Sequence, residues 1–197
     1  MFAALSSTWV AVNEITFISA FSDALENCLH NLQEQFSNKK ISIVFGCGGD
    51  RDKTKRFQMG KMANKFCNKV YLTDDNPRFE NPRLIRNQIK KGLSKKKLIE
   101  ITSRSKAILK AINDLNSGDV LIVAGKGHET YQEYRKKLFF SDKLEILKAI
   151  NKKNLNLSKS IKTNILKESI KNKNIDKNKF KKHKIKNSKK RLKNSIF

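Results

Sequence analysis

The fold is decided by an apolar run that ends in a polar turn, Val70-Tyr71-Leu72-Thr73-Asp74-Asp75-Asn76-Pro77-Arg78. A short apolar run bounded by turn residues predicts a buried strand. Pro77 fixes its own φ and restricts Asn76 to extended conformations, so the strand is expected to end in a stiff turn. In open α/β sheets, ligands bind beyond the carboxyl ends of the strands. The turn is therefore either a ligand-binding loop that offers Asn76 and Arg78, or a solvated polar turn without a special role.

Two further apolar strands run into glycine-rich turns. Ile41–Phe45 precedes Gly46-Cys47-Gly48-Gly49, and Val120–Ala124 precedes Gly125-Lys126-Gly127-His128-Glu129. Glycine permits sharp turns and the close approach of a ligand. The first turn matches neither the Walker pattern nor the dinucleotide fingerprint, so taken alone it indicates a tight turn. Parallel strands would place all three polar loops at one edge of the sheet.

Helical periodicity separates these strands. Apolar residues recur at helical spacing after Ser22, from about Lys55 to Asn68, from Pro82, after Arg104, and from a cap at Asp142 to about Ile150. Shorter strands are predicted at 98–101 and within residues 9–18. The alternation predicts an α/β fold: an open, mostly parallel, Rossmann-like sheet with helices on both faces. The residues expected to face the core are Leu25, Cys28, Leu29, Leu32, Phe36, Met59, Met62, Ala63, Phe66, Leu84, Ile85, Ile89, Leu93, Ala107, Ile108, Ala111, Ile112 and Leu115.

The charge is concentrated at the end of the chain. The formal net charge is +25, and residues 151–197 carry 17 Lys and Arg against the two acids Glu168 and Asp176. The Ile and Leu residues of this Lys/Asn-rich tail are too scattered for a core, so a disordered or frayed-helical tail is expected. Its lysine runs would bind nucleic-acid phosphates non-specifically and weakly, without an aromatic platform or recognition helix. Compositional drift in an AT-rich genome explains the tail equally well.

Cysteine usage and hydropathy bear on the compartment. Cys28, Cys47 and Cys67 share no metal-ligand spacing, and an odd, sparse count favours reduced thiols in a cytoplasmic protein. His30 is expected to be exposed, because no partner ligand lies at metal spacing. No apolar run reaches the length of a membrane span, and the apolar residues 1–22 lack the basic start of a secretory signal. A cytoplasmic location without a membrane partner or a metal site is expected.

Three motifs in this order carry a resemblance to a known family. They are Val44–Lys53, Thr73–Arg78 and Ala124–Glu129. From about Asp23 to Ile150, the chain resembles the C-terminal domain of the MurE-type Mur ligases of peptidoglycan synthesis. This likeness suggests three segments: an atypical N-terminal segment at 1–22, the ligase C-terminal domain at 23–150, and the basic tail at 151–197.

The resemblance implies a three-domain, ATP-dependent amide ligase. Its central domain binds ATP and Mg²⁺ and activates the carboxylate of UDP-MurNAc-L-Ala-D-Glu as an acyl phosphate. The amine of a diamino acid then attacks, and the C-terminal domain holds that amino acid. The Asp-Asn-Pro-Arg form of the second motif, here residues 75–78, marks members that add meso-diaminopimelate rather than lysine.

The resemblance also implies the binding residues. By this resemblance, the arginine of the first motif and the residues of the second motif are expected to contact carboxylates. The glycine backbone carbonyl and the acid of the third motif are expected to contact an ammonium. No catalytic residue is assigned. Such alternating donors and acceptors suit a molecule charged at both ends. Two alternatives remain: the arginine could pair with Asp50 or Asp52, and His128 is expected to hold its loop rather than transfer a proton. The predicted site consists of Arg51, Asn76, Pro77, Arg78, Gly125 and Glu129.

The chain departs from the family in three places. No Gly-x-x-x-x-Gly-Lys-Ser/Thr pattern occurs, so the ATP-binding and UDP-sugar domains are expected to be missing. Phe17–Ser22 replaces a segment, Asp-Tyr-Ala-His-Thr-Pro, that contacts ATP in the family. Thr54, Phe57 and Gln58 stand where the family has glycine, proline and an aliphatic residue.

These departures predict a severed C-terminal piece. It would bind the amino acid weakly, take no cofactor of its own, reach UDP-MurNAc-dipeptide only through other domains, and form no peptide bond alone. The alternatives are a non-catalytic partner domain that docks on a separately encoded ATP-binding half, and a nucleic-acid binder that acts through its tail.

Overall fold

The computed structural model describes residues 17–19, 22–127, 129–164 and 167. Residues 142–164 are helical; the part up to residue 151 is called α5. The other elements, in chain order, are β1 Phe17–Ser19, α1 Ser22–Gln35, β2 Ile41–Phe45, α2 Thr54–Phe66, β3 Lys69–Leu72, α3 Pro82–Lys90, β4 Leu98–Glu100, α4 Arg104–Asp114, β5 Val120–Gly125, β6 Tyr131–Tyr134 and β7 Lys136–Phe139.

Five strands form a parallel sheet in the order β1-β5-β2-β3-β4. The central strand β2 pairs with β5 from Ile41 opposite Val120, and with β3 up to Phe45 opposite Leu72. This order confirms the predicted open, parallel α/β sheet. Because β2 lies between β3 and β5, the three polar loops that follow these strands are neighbours at the carboxyl edge.

Both faces of the sheet are covered by helices. Alternate residues such as Ile43 and Phe45 pack against α1, α2 and α3, whereas Val44 and Val123 pack against α4 and α5. Strands that are buried on both sides must be apolar throughout, which explains the unbroken apolar runs that mark β2, β3 and β5 in the sequence.

The prediction that Leu84 faces the core is wrong. Leu84 is 58% exposed, whereas its neighbour Ile85 and the residue one turn later, Ile89, are buried. The buried stripe of α3 consists of Ile85, Arg86 and Ile89. Arg86 is held in it by ion pairs with Asp74 and Glu100, so Leu84, on the other side of Ile85, lies outside the stripe. Cys28, Phe36, Met62 and Leu93 pack at the margin of the core, and the side chain of Leu25 lies outside the described part.

Asp142 does not cap α5 through its side chain. Its carboxylate is buried and accepts two hydrogen bonds from Arg104, from Nε at 2.8 Å and from Nη2 at 2.7 Å. Arg104 Nη2 also donates to the Ala124 carbonyl at 2.9 Å. The pair therefore ties the starts of α4 and α5 to the end of β5, next to the third polar loop.

A hairpin that the sequence did not predict follows β5. Strands β6 and β7 pair antiparallel through a turn at Arg135, whose φ is 57°. The hairpin contacts the β3 loop through the backbone: Arg78 N donates to Glu133 O at 3.0 Å, and Arg135 N donates to Arg78 O at 3.1 Å. It therefore forms one wall beside the carboxyl edge of the sheet.

The chain divides into two compact units, Met1–Asn151 and Lys152–Phe197. In the second unit, residues 152–164 are helical and almost entirely exposed. The rest of the tail, residues 1–16 and 20–21, and His128 lie outside the described residues, as do the predictions made for them. None of the described helices has the length and apolar character of a membrane span.

Candidate ligand-binding site

A cavity of about 370 Å³ opens where the loops after β2, β3 and β5 meet. Its lining combines basic and acidic side chains with glycine backbone. The lining residues are Gly46, Cys47, Gly48, Arg51, Asp52, Lys55, Arg56, Met59, Asp75, Asn76, Arg78, Gly125 and Glu129.

The first two loops contact each other through their backbones. Gly49 N donates to Asn76 O at 2.8 Å, and a Cβ on Gly49 would lie 1.9 Å from the Pro77 carbonyl oxygen. Any side chain at Gly49 would force the loops apart. This contact, rather than a phosphate cradle, explains why the turn after β2 requires glycine there.

Arg51 extends from the first loop with an exposed side chain. Within the described part of the chain, no hydrogen bond or ion pair engages its guanidinium. Among the described residues, Arg51 forms neither alternative ion pair, with Asp50 or with Asp52; Asp52 Oδ1 accepts from Thr54 Oγ1 at 2.6 Å and from Thr54 N at 2.9 Å. These bonds, the hydroxyl one foremost, lower the pKa of the Asp52 carboxyl. Arg51 is thus available to an anion in the cavity.

A buried ion pair fixes the base of this loop. The Arg56 guanidinium is 1% exposed and donates to both carboxylate oxygens of Glu80, at 2.8 and 2.9 Å. It also donates to Gly48 O at 3.0 Å. The hydrogen bonds from Arg56 hold the pKa of Glu80 at about 2, well below its usual range. The sequence did not single out Arg56, because a charged helix residue ordinarily lies on the surface.

Asn76 is 4% exposed, and the oxygen of its side-chain amide accepts two hydrogen bonds. Its Oδ1 accepts from Lys126 Nζ at 2.6 Å and from Glu133 N at 3.0 Å, and its Nδ2 donates to Glu129 Oε2 at 2.8 Å. Asn76 therefore connects the β3 loop, the β5 loop and the hairpin.

Arg78 lies in the left-handed region, with φ at 53°. Its Nη1 donates to Gly49 O at 2.6 Å, and its Nε is 3.4 Å from Glu133 Oε2. The guanidinium is thus held at the cavity wall by two loops, and its charge is partly offset by one carboxylate.

The β5 loop supplies the acidic side of the cavity. Gly125 has φ at 120°, and a Cβ there would lie 2.8 Å from Asp75 Oδ2, so only glycine fits without strain. Lys126 Nζ is buried 3.2 Å from Asp75 Oδ1 and 3.7 Å from Glu129 Oε2. Among the residues that the structure describes, no group of three or more His, Cys, Asp and Glu is placed to hold a metal ion.

Cys47 also lines the cavity, but as an inert thiol. Its Sγ is 3.5 Å from Met59 Sδ, and burial raises its pKa to about 12. A thiol with that pKa carries almost no thiolate near neutral pH, so it is not a nucleophile.

Five of the six predicted site residues line this one cavity, although they come from three separate loops. Pro77 is the exception: its carbonyl accepts from Glu80 N at 3.0 Å behind the wall. The sequence missed Lys126 and Asp75 as members of the site. Their position directly after strands, inside the matched motifs, was the available signal.

The fold and the cavity define an α/β domain with a cavity lined by charged groups at the carboxyl edge of its sheet, where ligands bind in open α/β folds. Residues 13–127, more than half of the chain, match the protein family described as "Mur ligase, glutamate ligase domain". The chain belongs to this family, which confirms the resemblance drawn from its motifs.

Ligases of one name from several bacteria are similar to this chain. The chain is 54% identical over 122 residues to the UDP-N-acetylmuramoyl-L-alanyl-D-glutamate--2,6-diaminopimelate ligase of Rickettsia typhi, covering 61% of this chain and 25% of the relative. It is 47% identical over 135 residues to the ligase of that name from Buchnera aphidicola subsp. Baizongia pistaciae, covering 68% of this chain and 27% of the relative.

A solved structure of a ligase of that name superimposes with a TM-score of 0.64 at 39% identity, covering 70% of this chain and 29% of that one. The chain thus spans about a quarter of the length of the relatives it matches.

Proposed function

We propose that this chain is the amino-acid-binding domain of a peptidoglycan ligase and binds meso-diaminopimelate. The observation that carries the proposal is the convergence of Arg51, Asn76, Arg78, Gly125 and Glu129 on one cavity. The relatives are named as 2,6-diaminopimelate ligases, which agrees with a ligand that is charged at both ends.

Each side of the cavity would bind one kind of group. Arg51, Arg78 and the Nδ2 of Asn76 would donate to carboxylates, and Glu129 with the Gly125 carbonyl would accept from an ammonium. Pro77 would keep the second loop rigid between Asn76 and Arg78. Charge-assisted hydrogen bonds of this kind contribute roughly 1.5–3 kcal/mol each.

In the complete ligase, this domain would orient the attacking amine. A central domain that binds ATP and Mg²⁺ would activate the carboxylate of UDP-MurNAc-L-Ala-D-Glu. Holding the amine at that carbon would convert a bimolecular step into an effectively unimolecular one. We assign no nucleotide contact to this chain, because the glycines after β2 pack against the β3 loop: Gly46 against Thr73, Gly48 against Arg78 and Gly49 against Pro77. A cytoplasmic location follows from the ATP requirement, and the three free thiols agree with it.

Calorimetry of the chain with meso-diaminopimelate and with L-lysine tests the proposal. We expect meso-diaminopimelate to bind more tightly, because lysine lacks one carboxylate. Glu129→Gln should weaken binding about tenfold or more, since a neutral amide bonds an ammonium less strongly. The matched control is Glu145→Gln, which alters a carboxylate paired with Lys148 on α5. A chain that gives no heat with meso-diaminopimelate refutes the proposal.

The charge of the tail supports a second, separate candidate. Of the net charge of +25, residues 151–197 contribute +15. We propose that residues 151–197 bind nucleic-acid phosphates non-specifically and that the rest of the chain does not. A gel shift at physiological salt, with the full chain and with residues 151–197 removed, tests this. A shift that survives the removal would place the activity elsewhere.

A further inference from the structure

A buried lysine with no assigned role lies at the junction of the three cavity loops. Lys126 is 1% exposed and belongs to the largest fully buried side chains of the described residues. Burying an ammonium is costly unless it is paired and hydrogen-bonded. Its surroundings therefore indicate what the buried charge does.

The ammonium donates to atoms of two different elements. Nζ lies 2.6 Å from Asn76 Oδ1 in the β3 loop and 2.7 Å from the Tyr131 carbonyl oxygen in β6. Asp75 Oδ1, at 3.2 Å, supplies the nearest negative charge, and Glu129 Oε2 lies at 3.7 Å. The rings of Tyr131 and Phe140 flank it, with centroids 5.8 and 5.9 Å away.

These contacts determine which end of the Asn76 amide faces the cavity. A carbonyl oxygen has two lone pairs, and those of Asn76 Oδ1 are taken by Lys126 Nζ and the Glu133 N–H. The NH₂ group is left to donate to Glu129 Oε2 and retains a second N–H. The reversed amide would set the NH₂ group against an ammonium and a backbone N–H, so Lys126 and the Glu133 N–H together exclude that orientation.

The same ammonium sets the charge balance of the acidic wall. Asp75 Oδ1 is buried and has no hydrogen-bond partner among the described residues, and its ion pair is with Lys126. Without Lys126, Asp75 and Glu129 would lose the ammonium that offsets their charge, and the Asn76 oxygen would be held by the Glu133 N–H alone. Both changes would favour cationic groups over carboxylates.

We propose that Lys126 is a positioning residue that fixes Asn76 as a hydrogen-bond donor, and that it thereby selects a ligand carboxylate at this position. The selectivity part rests on the proposed function, whereas the orientation of the amide does not. Lys126 itself lies behind the cavity wall and acts through Asn76 and Asp75.

Neutron diffraction from the unaltered, ligand-free chain tests the orientation directly. We expect the two deuterons of the Asn76 amide on the atom that faces Glu129. Deuterons on the atom that faces Lys126 would overturn the assignment. Because this measurement needs no variant, it decides the orientation even if substitutions at Lys126 prevent folding.

Calorimetry of Lys126→Met tests the selectivity. Methionine keeps much of the side-chain length and removes the charge and the donors. We expect the affinity for meso-diaminopimelate to fall about tenfold or more and the affinity for L-lysine to change less. The ratio of the two affinities should therefore fall about tenfold. Lys110→Met, which removes an exposed lysine paired with Asp114 on α4, is the matched control and should change neither affinity.

Failure of this inference can be told apart from failure of the proposed function. If Lys126→Met loses affinity for both amino acids equally, the lysine acts only on stability and the selectivity role is wrong. If the unaltered chain binds neither amino acid, the proposed function and the selectivity role both fail, whereas neutron diffraction still tests the orientation of the Asn76 amide.

Discussion

Three buried basic side chains, Arg56, Arg104 and Lys126, lie beneath the loops of the cavity. Each is paired with a carboxylate: Glu80, Asp142 and Asp75, respectively. Removing one partner of such a pair leaves an uncompensated buried charge, which is far more costly than the loss of an exposed ion pair. These pairs therefore fix the loop geometry, whereas Arg51 remains free for a ligand.

Arg51→Gln should reduce binding without affecting the fold. The guanidinium has no hydrogen bond within the described residues, so the free energy of unfolding should stay within about 0.5 kcal/mol of that of the unaltered chain. The affinity for meso-diaminopimelate should fall about ten- to a hundredfold, as expected for one lost charge-assisted interaction. Calorimetry and urea unfolding provide the two measurements.

The control for that variant is Arg83→Gln. Arg83 is also an exposed arginine, but it lies on α3 and does not line the cavity. It should leave both the affinity and the stability unchanged. Equal losses of affinity in the two variants would mean that general charge, rather than the position of Arg51, attracts the ligand.

Glu80→Gln should destabilise the chain in a pH-dependent way. The pKa of Glu80 falls from an ordinary 4.5 to about 2 in the folded chain. A lowered pKa means that the ionised group stabilises the fold fully above pH 4.5, and that this contribution is lost as the pH falls toward 2. At pH 7 the variant should lose about 1–3 kcal/mol.

Urea unfolding at several pH values checks the sign. The stability gap between the unaltered chain and Glu80→Gln should shrink between pH 4.5 and pH 2. Glu145→Gln, in an exposed pair, should differ by less than about 0.5 kcal/mol throughout. A gap that stays constant down to pH 2 would show that the Arg56–Glu80 pair does not lower this pKa.

At the scale of elements, α2 and the end of α3 approach through two glycines. A Cβ on Gly60 would lie 2.3 Å from the Ile89 carbonyl oxygen, and one on Gly92 would lie 2.4 Å from the Phe57 carbonyl oxygen. This close crossing sets how α2 and α3 pack on the sheet, and hence where the loops that precede these helices lie.

Gly60→Ala should destabilise the chain by about 1–3 kcal/mol through overpacking. The effect opposes helix propensity, since alanine is favoured over glycine by about 1 kcal/mol inside a helix. Urea unfolding measures the net change, and Lys61→Ala, at an exposed position of the same helix, should change little. A more stable Gly60→Ala variant would contradict the close approach.

The elements that could be predicted from the sequence are those buried on both sides or amphipathic. Strands β2, β3 and β5 appear as apolar runs, and α4 carries a regular stripe that includes Ala107 and Ile112. The β6–β7 hairpin could not be predicted, because β7 is exposed along its length and carries no alternating pattern. Leu84 was misassigned because the buried stripe of α3 includes the charged Arg86, which pairs with Asp74 and Glu100, instead of Leu84.

The sequence predicted those residues of the candidate site whose role a recognisable motif suggests. The loop residues that face the cavity stand in recognisable sequence patterns, so Arg51, Asn76 and Glu129 could be named. Lys126 was not named although it lies in the third motif, because lysine ordinarily lies on the surface and its tertiary contacts with Asn76 and Tyr131 are needed to show that it is buried.

At the scale of the whole molecule, the strand order brings the three loops together. The chain runs outward through β2, β3 and β4 and returns to place β5 on the other side of β2. This change of direction leaves the carboxyl ends of β3 and β5 on either side of β2, with basic groups from the first two loops facing acids of the third. The cavity is thus a consequence of topology, and its charge distribution is a consequence of the side chains at its edge.

The most direct test is a crystal structure of the chain with meso-diaminopimelate. The account predicts density in the cavity with carboxylates on Arg51, Arg78 and Asn76 Nδ2, and an ammonium on Glu129 and the Gly125 carbonyl. A ligand bound outside this cavity, or bound with its ammonium against the arginines, would contradict it.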